Sequence, residues 1–195
     1  MELYVNDEKI DVELENEKTV GDVLTAFEAE CARTNATTVS IFVDGESVTA
    51  EDFDRVAAKP LEPDTKINLG VVSQQAVEDA FREQKQQCLK ISEELKQLPA
   101  KFQSGKDREA NRIITALADL VNNICHTASI SALFPQKFGT VTIDGKNFAG
   151  FFADFSPVLK DFEQAIESKD TVLLGDLAEY EISPRLESLA DALEV

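Results

Sequence analysis

Imidazole chemistry in this chain rests on one residue. His126 is the sole histidine among 195 residues, which excludes a histidine-rich metal site and leaves one imidazole base. Cys125 precedes it, but consecutive helical residues point about 100° apart, so the two do not by themselves form a Cys–His nucleophile pair. The expectation is Cys125 in a core and His126 at its edge. Asp176, Glu179 and Glu181 cluster around Tyr180. Carboxylates three residues apart share a helical face and could hold a hard cation, but no EF-hand loop or Glu-x-x-His motif accompanies them. A solvated acidic face is the simpler reading. Phe148-Ala149-Gly150 and Leu174-Gly175-Asp176 match no phosphate-binding loop, and neither Gly-x-Ser-x-Gly nor Cys-x-x-Cys occurs. The sequence therefore assigns no catalytic residue, no cofactor-binding residue, no metal ligand and no cofactor.

Helices are the elements that must carry these residues. From Asp107 to Phe134, Ala110, Ile113, Leu117, Leu120 and Ile124 follow a 3-4-3-4 spacing that predicts a core helix stopped before Pro135. Between Ser73 and Leu98, Val77, Phe81, Gln84, Cys88, Ile91, Leu95 and Leu98 trace three heptads with Gln84 as the one polar member. This helix can pack on residues 107–134 as an antiparallel hairpin through the loop Ser104-Gly105-Lys106-Asp107, or form a homodimer. Ser168-Lys169-Asp170 repeats that loop between apolar-striped helices at 150–167 and 171–194, the second bent by Pro184. Two such hairpins predict a four-helix bundle. Thr140 to Ile143 followed by Asp144-Gly145 predicts a β-hairpin over 138–148 inserted in it.

The first 72 residues read differently. Leu3 and Val5, then Ile10, Val12 and Leu14, alternate with polar residues about the turn Asn6-Asp7, predicting a hairpin. Thr19 and Asp22 form a capping box for a helix to Arg33. A strand at Val39–Val43, a return at Glu46–Val48 and a short helix within 50–59 follow, and Lys66–Val72 is a last strand. This order resembles the β-grasp fold of ubiquitin-like and sulfur-carrier proteins. The resemblance implies an open sheet whose face and edges accept partners. Carrier chemistry needs a free terminal Gly-Gly, and here Gly70 is followed by Val71-Val72 and 123 further residues. The predicted fold class is thus α+β, a β-grasp domain over 1–72 followed by a four-helix bundle over 73–195.

Charge points to the kind of partner. The net charge of −18 at pH 7 disfavours nucleic acid and anionic membrane surfaces. Residues 1–72 hold 17 acids and 6 bases, net −11, and so are the better match for a basic protein. The start lacks the basic and apolar regions of a signal peptide. Three scattered cysteines lack a paired framework, and a cytoplasmic address is expected. Seven of twelve phenylalanines fall between Phe134 and Phe162. Phe138, Phe148 and Phe152 there, with Tyr180, Tyr4 and Phe42, are the candidate partner contacts. The expected function is a non-enzymatic bacterial adaptor or chaperone-like protein, similar in charge and size to small acidic export chaperones. The alternatives are a ligand-binding protein or enzyme with a pocket between the bundle and the Phe-rich hairpin, and a structural homo-oligomer.

Overall fold

A computed structural model describes residues 1–194. The fold is mixed α/β and divides into two compact units, Met1–Ala76 and Val77 onward.

The first unit is a five-stranded mixed sheet. Its strands are β1 (Glu2–Val5), β2 (Glu8–Ile10), β3 (Ala36–Val43), β4 (Glu46–Ser47) and β5 (Lys66–Ser73), in the order β2-β1-β5-β3-β4. β1 and β5 run parallel and every other neighbouring pair is antiparallel. Helix α1 (Val20–Arg33) starts at the expected capping box. Thr19 Oγ1 accepts from the Asp22 amide at 3.2 Å, and Asp22 Oδ2 accepts from the Thr19 and Lys18 amides at 2.9 Å each. Those amides hold the Asp22 carboxyl below its ordinary range, the Lys18 amide contributing most. Val20, Val23 and Leu24 of α1, with Val56 of α2 (Phe53–Ala57), pack on Leu3, Val43, Ile67 and Leu69. Asn6-Asp7 and Asp44-Gly45 both take positive φ, the turn geometry that two-residue hairpins require.

One strand is shorter than its pattern predicts. β2 stops at Ile10, because Leu3 pairs with Ile10 and β1 begins only one residue earlier, at Glu2. Among the described residues Val12 and Leu14 have no strand opposite them, and both lie exposed.

The second unit is built on α3 (Gln74–Leu95), which begins directly after β5 ends at Ser73. The heptad stripe is buried within the chain: Val77, Phe81, Gln84, Cys88, Ile91 and Leu95 are all inaccessible. Burial pushes the Cys88 thiol up to about 12. Pro99 has no N–H and crowds the carbonyl four residues back, so α3 ends at Leu95 and not at Leu98. A new short helix, α4 (Leu98–Gln103), places the proline in its first turn, where no hydrogen bond is lost. Helix α5 (Asp107–Ser131) buries the predicted stripe from Ala110 to Ile124. By length and composition alone it would also span a membrane.

The predicted hairpin over 138–148 does not form. Pro135–Phe138 is a short helix, α6, and Asn147 caps α7 (Phe148–Ser168). Between them only Ile143 and Lys146 pair, across the two-residue turn Asp144-Gly145. Aromatic packing overrides the strand signal: Phe138 lies edge-on to Phe81 at 5.6 Å, and Phe148 stacks on it at 5.7 Å. A ribbon would carry the two rings away from Phe81, whereas two helix ends hold them against it.

The last predicted helix, 171–194, is one rod of three parts. α8 (Thr171–Asp176) leads into a π-helical stretch, Leu177–Ile182, and then α9 (Ser183–Ala192). The Ser183 amide donates to the Ala178 carbonyl five residues back, and the buried Ser183 Oγ donates to the same oxygen at 2.7 Å. Pro184 has no N–H to offer the Tyr180 carbonyl. Gly175 lets α4 approach, since a Cβ there would lie 2.7 Å from Pro99 Cγ.

Gln84 Nε2 donates to Thr127 Oγ1 at 2.7 Å, and that hydroxyl donates to the Asn123 carbonyl at 2.9 Å. Gln84 Oε1 is buried without a partner among the described residues. Thr127→Val removes the acceptor and strands the whole carboxamide, so it is expected to cost about 1–3 kcal/mol. Adding Gln84→Met removes the stranded group and is expected to restore the urea midpoint to within about 1 kcal/mol of the parent. A double variant no more stable than the single would show that the carboxamide is satisfied in another way.

Candidate functional site

Tyr4 and Phe42 lie far apart in sequence but share one cross-strand row. Tyr4 on β1 pairs with Asn68 on β5, and Asn68 pairs with Phe42 on β3. Strand alternation decides the face: Leu3, Ile67, Leu69 and Val43 point into the core, so their neighbours point out. Phe42 is 39% exposed, and Tyr4 and Asn68 are half-buried. Around them lies an open depression of about 630 Å³, bounded also by Asp7, Gly45 and Lys66.

A polar network holds this row in place. Tyr4 Oη donates to Glu2 Oε2 at 3.1 Å, and Lys9 Nζ donates to Glu2 Oε1 at 2.6 Å. The bond from Lys9 is the main cause keeping the Glu2 carboxyl below its ordinary range. Lys66 Nζ stands 3.7 Å from Glu2 Oε2, and Asn68 Nδ2 donates to Asp7 Oδ1 at 2.6 Å. Asn6 extends the parallel β1–β5 ladder, donating to the Val71 carbonyl and accepting from the Val71 amide. The face offers two aromatic rings and one amide, edged by the carboxylates of Glu2 and Asp7 and the ammonium groups of Lys9 and Lys66.

The remaining candidates separate. Phe138 is buried and Phe148 is half-buried against Phe81, so both serve packing and neither is an open contact. Phe152 is half-buried and meets Phe151 edge-on at 5.5 Å. Cys125 is exposed, contrary to its expected place in the core, because it falls just outside the buried line through Ile124 and Thr127. His126, Asp176 and Glu179 are also exposed, and Tyr180 is 66% exposed. Among the described residues no three His, Cys, Asp or Glu side chains are grouped to hold a metal ion.

One feature carried no signal beyond a repeated phrase. The loops Ser104-Gly105-Lys106 and Ser168-Lys169-Asp170 both turn through positive φ, at Gly105 and Lys169. Asp107, Asn111, Ala165, Lys169 and Thr171 line one cavity of about 360 Å³ beside them.

Glu179 and, less strongly, Asp176 surround the Tyr180 hydroxyl with negative charge and raise its pKa. In an ultraviolet titration, Glu179→Gln is expected to lower the pH at which Tyr180 ionises, and added salt should shift it the same way by screening. No movement in either case would place the carboxylates away from the phenol.

The boundary between the units reappears in the relationships of the chain. Residues 1–73 match the TP0873 N-terminal domain, and residues 79–192 match a domain of unknown function, DUF8042. An uncharacterized protein of Treponema pallidum (strain Nichols) is 28% identical over 193 residues, covering 99% of this chain and 96% of that one. No solved structure matches. Since residues 79–192 make up more than half of its length, the chain belongs to the DUF8042 family.

Proposed function

We propose that the protein works by binding another protein, a basic one, through the outer face of its N-terminal sheet, as a bacterial adaptor or chaperone-like factor. The observation that carries this reading is the row Tyr4–Asn68–Phe42, which sets an aromatic side chain on either side of Asn68 on an open face. Aromatic residues in a shallow, partly desolvated depression are the usual anchors of an interface. The unit that bears them is strongly acidic, which gives a cationic partner a faster encounter and turns nucleic acid away.

We read residues 1–76 as a β-grasp module. The strand order, the parallel central pair and the single long helix across one face support that reading. We read α3, α5, α7 and the α8–α9 rod as the four members of a bundle, supported by the buried stripe on each. A bacterial origin is supported by the Treponema relative, and a cytoplasmic address by the free cysteines.

The test uses the full chain and its Tyr4→Ser/Phe42→Ser variant as baits in the native host's lysate, washed with increasing salt. The parent is expected to retain a basic protein that salt releases and that the variant, shown to be folded by circular dichroism, retains at least tenfold less. Identical captures by both baits would overturn the proposal.

A further inference from the structure

Leu174, Ala178, Ile182 and Leu186 are all buried and succeed one another at intervals of four. An ideal α-helix turns about 40° beyond a full circle over four residues, so three such steps would carry the stripe about 120° away from the core. The i→i+5 turns between Leu177 and Ile182 use fewer degrees per residue and undo that drift. The opposite face is corrected with it. Val172, Asp176, Tyr180 and Pro184, also four apart, are all exposed, Val172 at 72% and Tyr180 at 66%. In an uncorrected α-helix Tyr180 would stand about 80° round from Val172. Leu173 is exposed beside them, so the π stretch assembles an apolar and aromatic ridge on the solvent side.

We propose that this ridge is a second docking surface, and that its occupant is a cationic amphipathic helix of another protein. Val172, Leu173 and Tyr180 supply the apolar contact. Asp176 lies in the same line and Glu179 beside it, and neither makes an ion pair among the described residues. Glu181, by contrast, is held by Arg185 at 2.6 Å. The charge decides among occupants: a second copy would set Asp176 and Glu179 against their own equivalents, and an anionic membrane would be repelled. A helix with leucines on one face and lysines beside them satisfies both parts of the ridge. This surface belongs to residues 77 onward and stands whether or not the sheet face binds a partner.

The probe is a synthetic leucine/lysine helical peptide of about 18 residues, five turns, with leucines on one face, and a counterpart carrying glutamates for lysines. Binding to the full chain is measured by calorimetry for the parent, for Val172→Ser/Tyr180→Ser and for Tyr4→Ser/Phe42→Ser. Both pairs of positions are surface sites, and circular dichroism checks that each variant folds. The lysine peptide is expected to bind the parent, to lose roughly tenfold or more on the ridge variant, and to keep its affinity on the sheet variant. The glutamate peptide should not bind. Absence of binding, equal affinity for parent and ridge variant, or equal binding of both peptides would overturn the ridge. Weakening by the sheet variant alone would overturn it too, while leaving the sheet-face reading intact.

Discussion

The second unit depends on a single demand, that the apolar stripe of α3 be covered on every side. Phe81 sits near its N-terminal end, gripped by Phe138 and Phe148 from the two ends of the 138–148 loop. Further along, Gln84 reaches Thr127 on α5, and Ser92 donates to Glu187 of α9 at 2.8 Å while its carbonyl receives Ser183. The 138–148 loop, α5 and α9 are thus each tied to α3 by named side chains. The α5 stripe, regular as it is, is one wall of that enclosure. The departures from regular structure follow from the same demand: the loop gives up its strands to deliver two rings, and the last rod widens into π turns to keep Leu174, Ala178, Ile182 and Leu186 facing inward.

Enclosing these cores leaves two surfaces of similar character. On the sheet, Tyr4 and Phe42 flank Asn68 within a charged rim; on the rod, Val172 and Tyr180 flank Asp176. Both put aromatic or apolar groups next to acids, and the two proposals of a cationic partner rest on that composition. Salt should weaken encounters at both, and the apolar contacts should persist.

Local chemistry was the most legible part of the fold. The Thr19–Asp22 box and three two-residue turns at Asn6-Asp7, Asp44-Gly45 and Asp144-Gly145 are encoded by the residues that form them. Stripes at helical spacing were legible for the same reason. What sequence could not give was anything fixed by a distant partner. Val12 and Leu14 have a strand pattern but nothing opposite them, and Thr140–Ile143 lost its strands to a ring sixty residues earlier. Tyr4 and Phe42 were recognisable as aromatic contacts, but only strand order brings them into one row about Asn68. The π stretch was legible only in retrospect, as a core stripe spaced by four where 3.6 is the natural period.

The account stands most directly on the outer sheet face. A photoreactive amino acid at position 42, in the full chain expressed in its native host, reports what touches that face in the cell. The account expects one principal adduct with a basic protein, absent when the same group stands at position 54 on α2. Adducts of equal yield from both positions, or none from position 42, would contradict it.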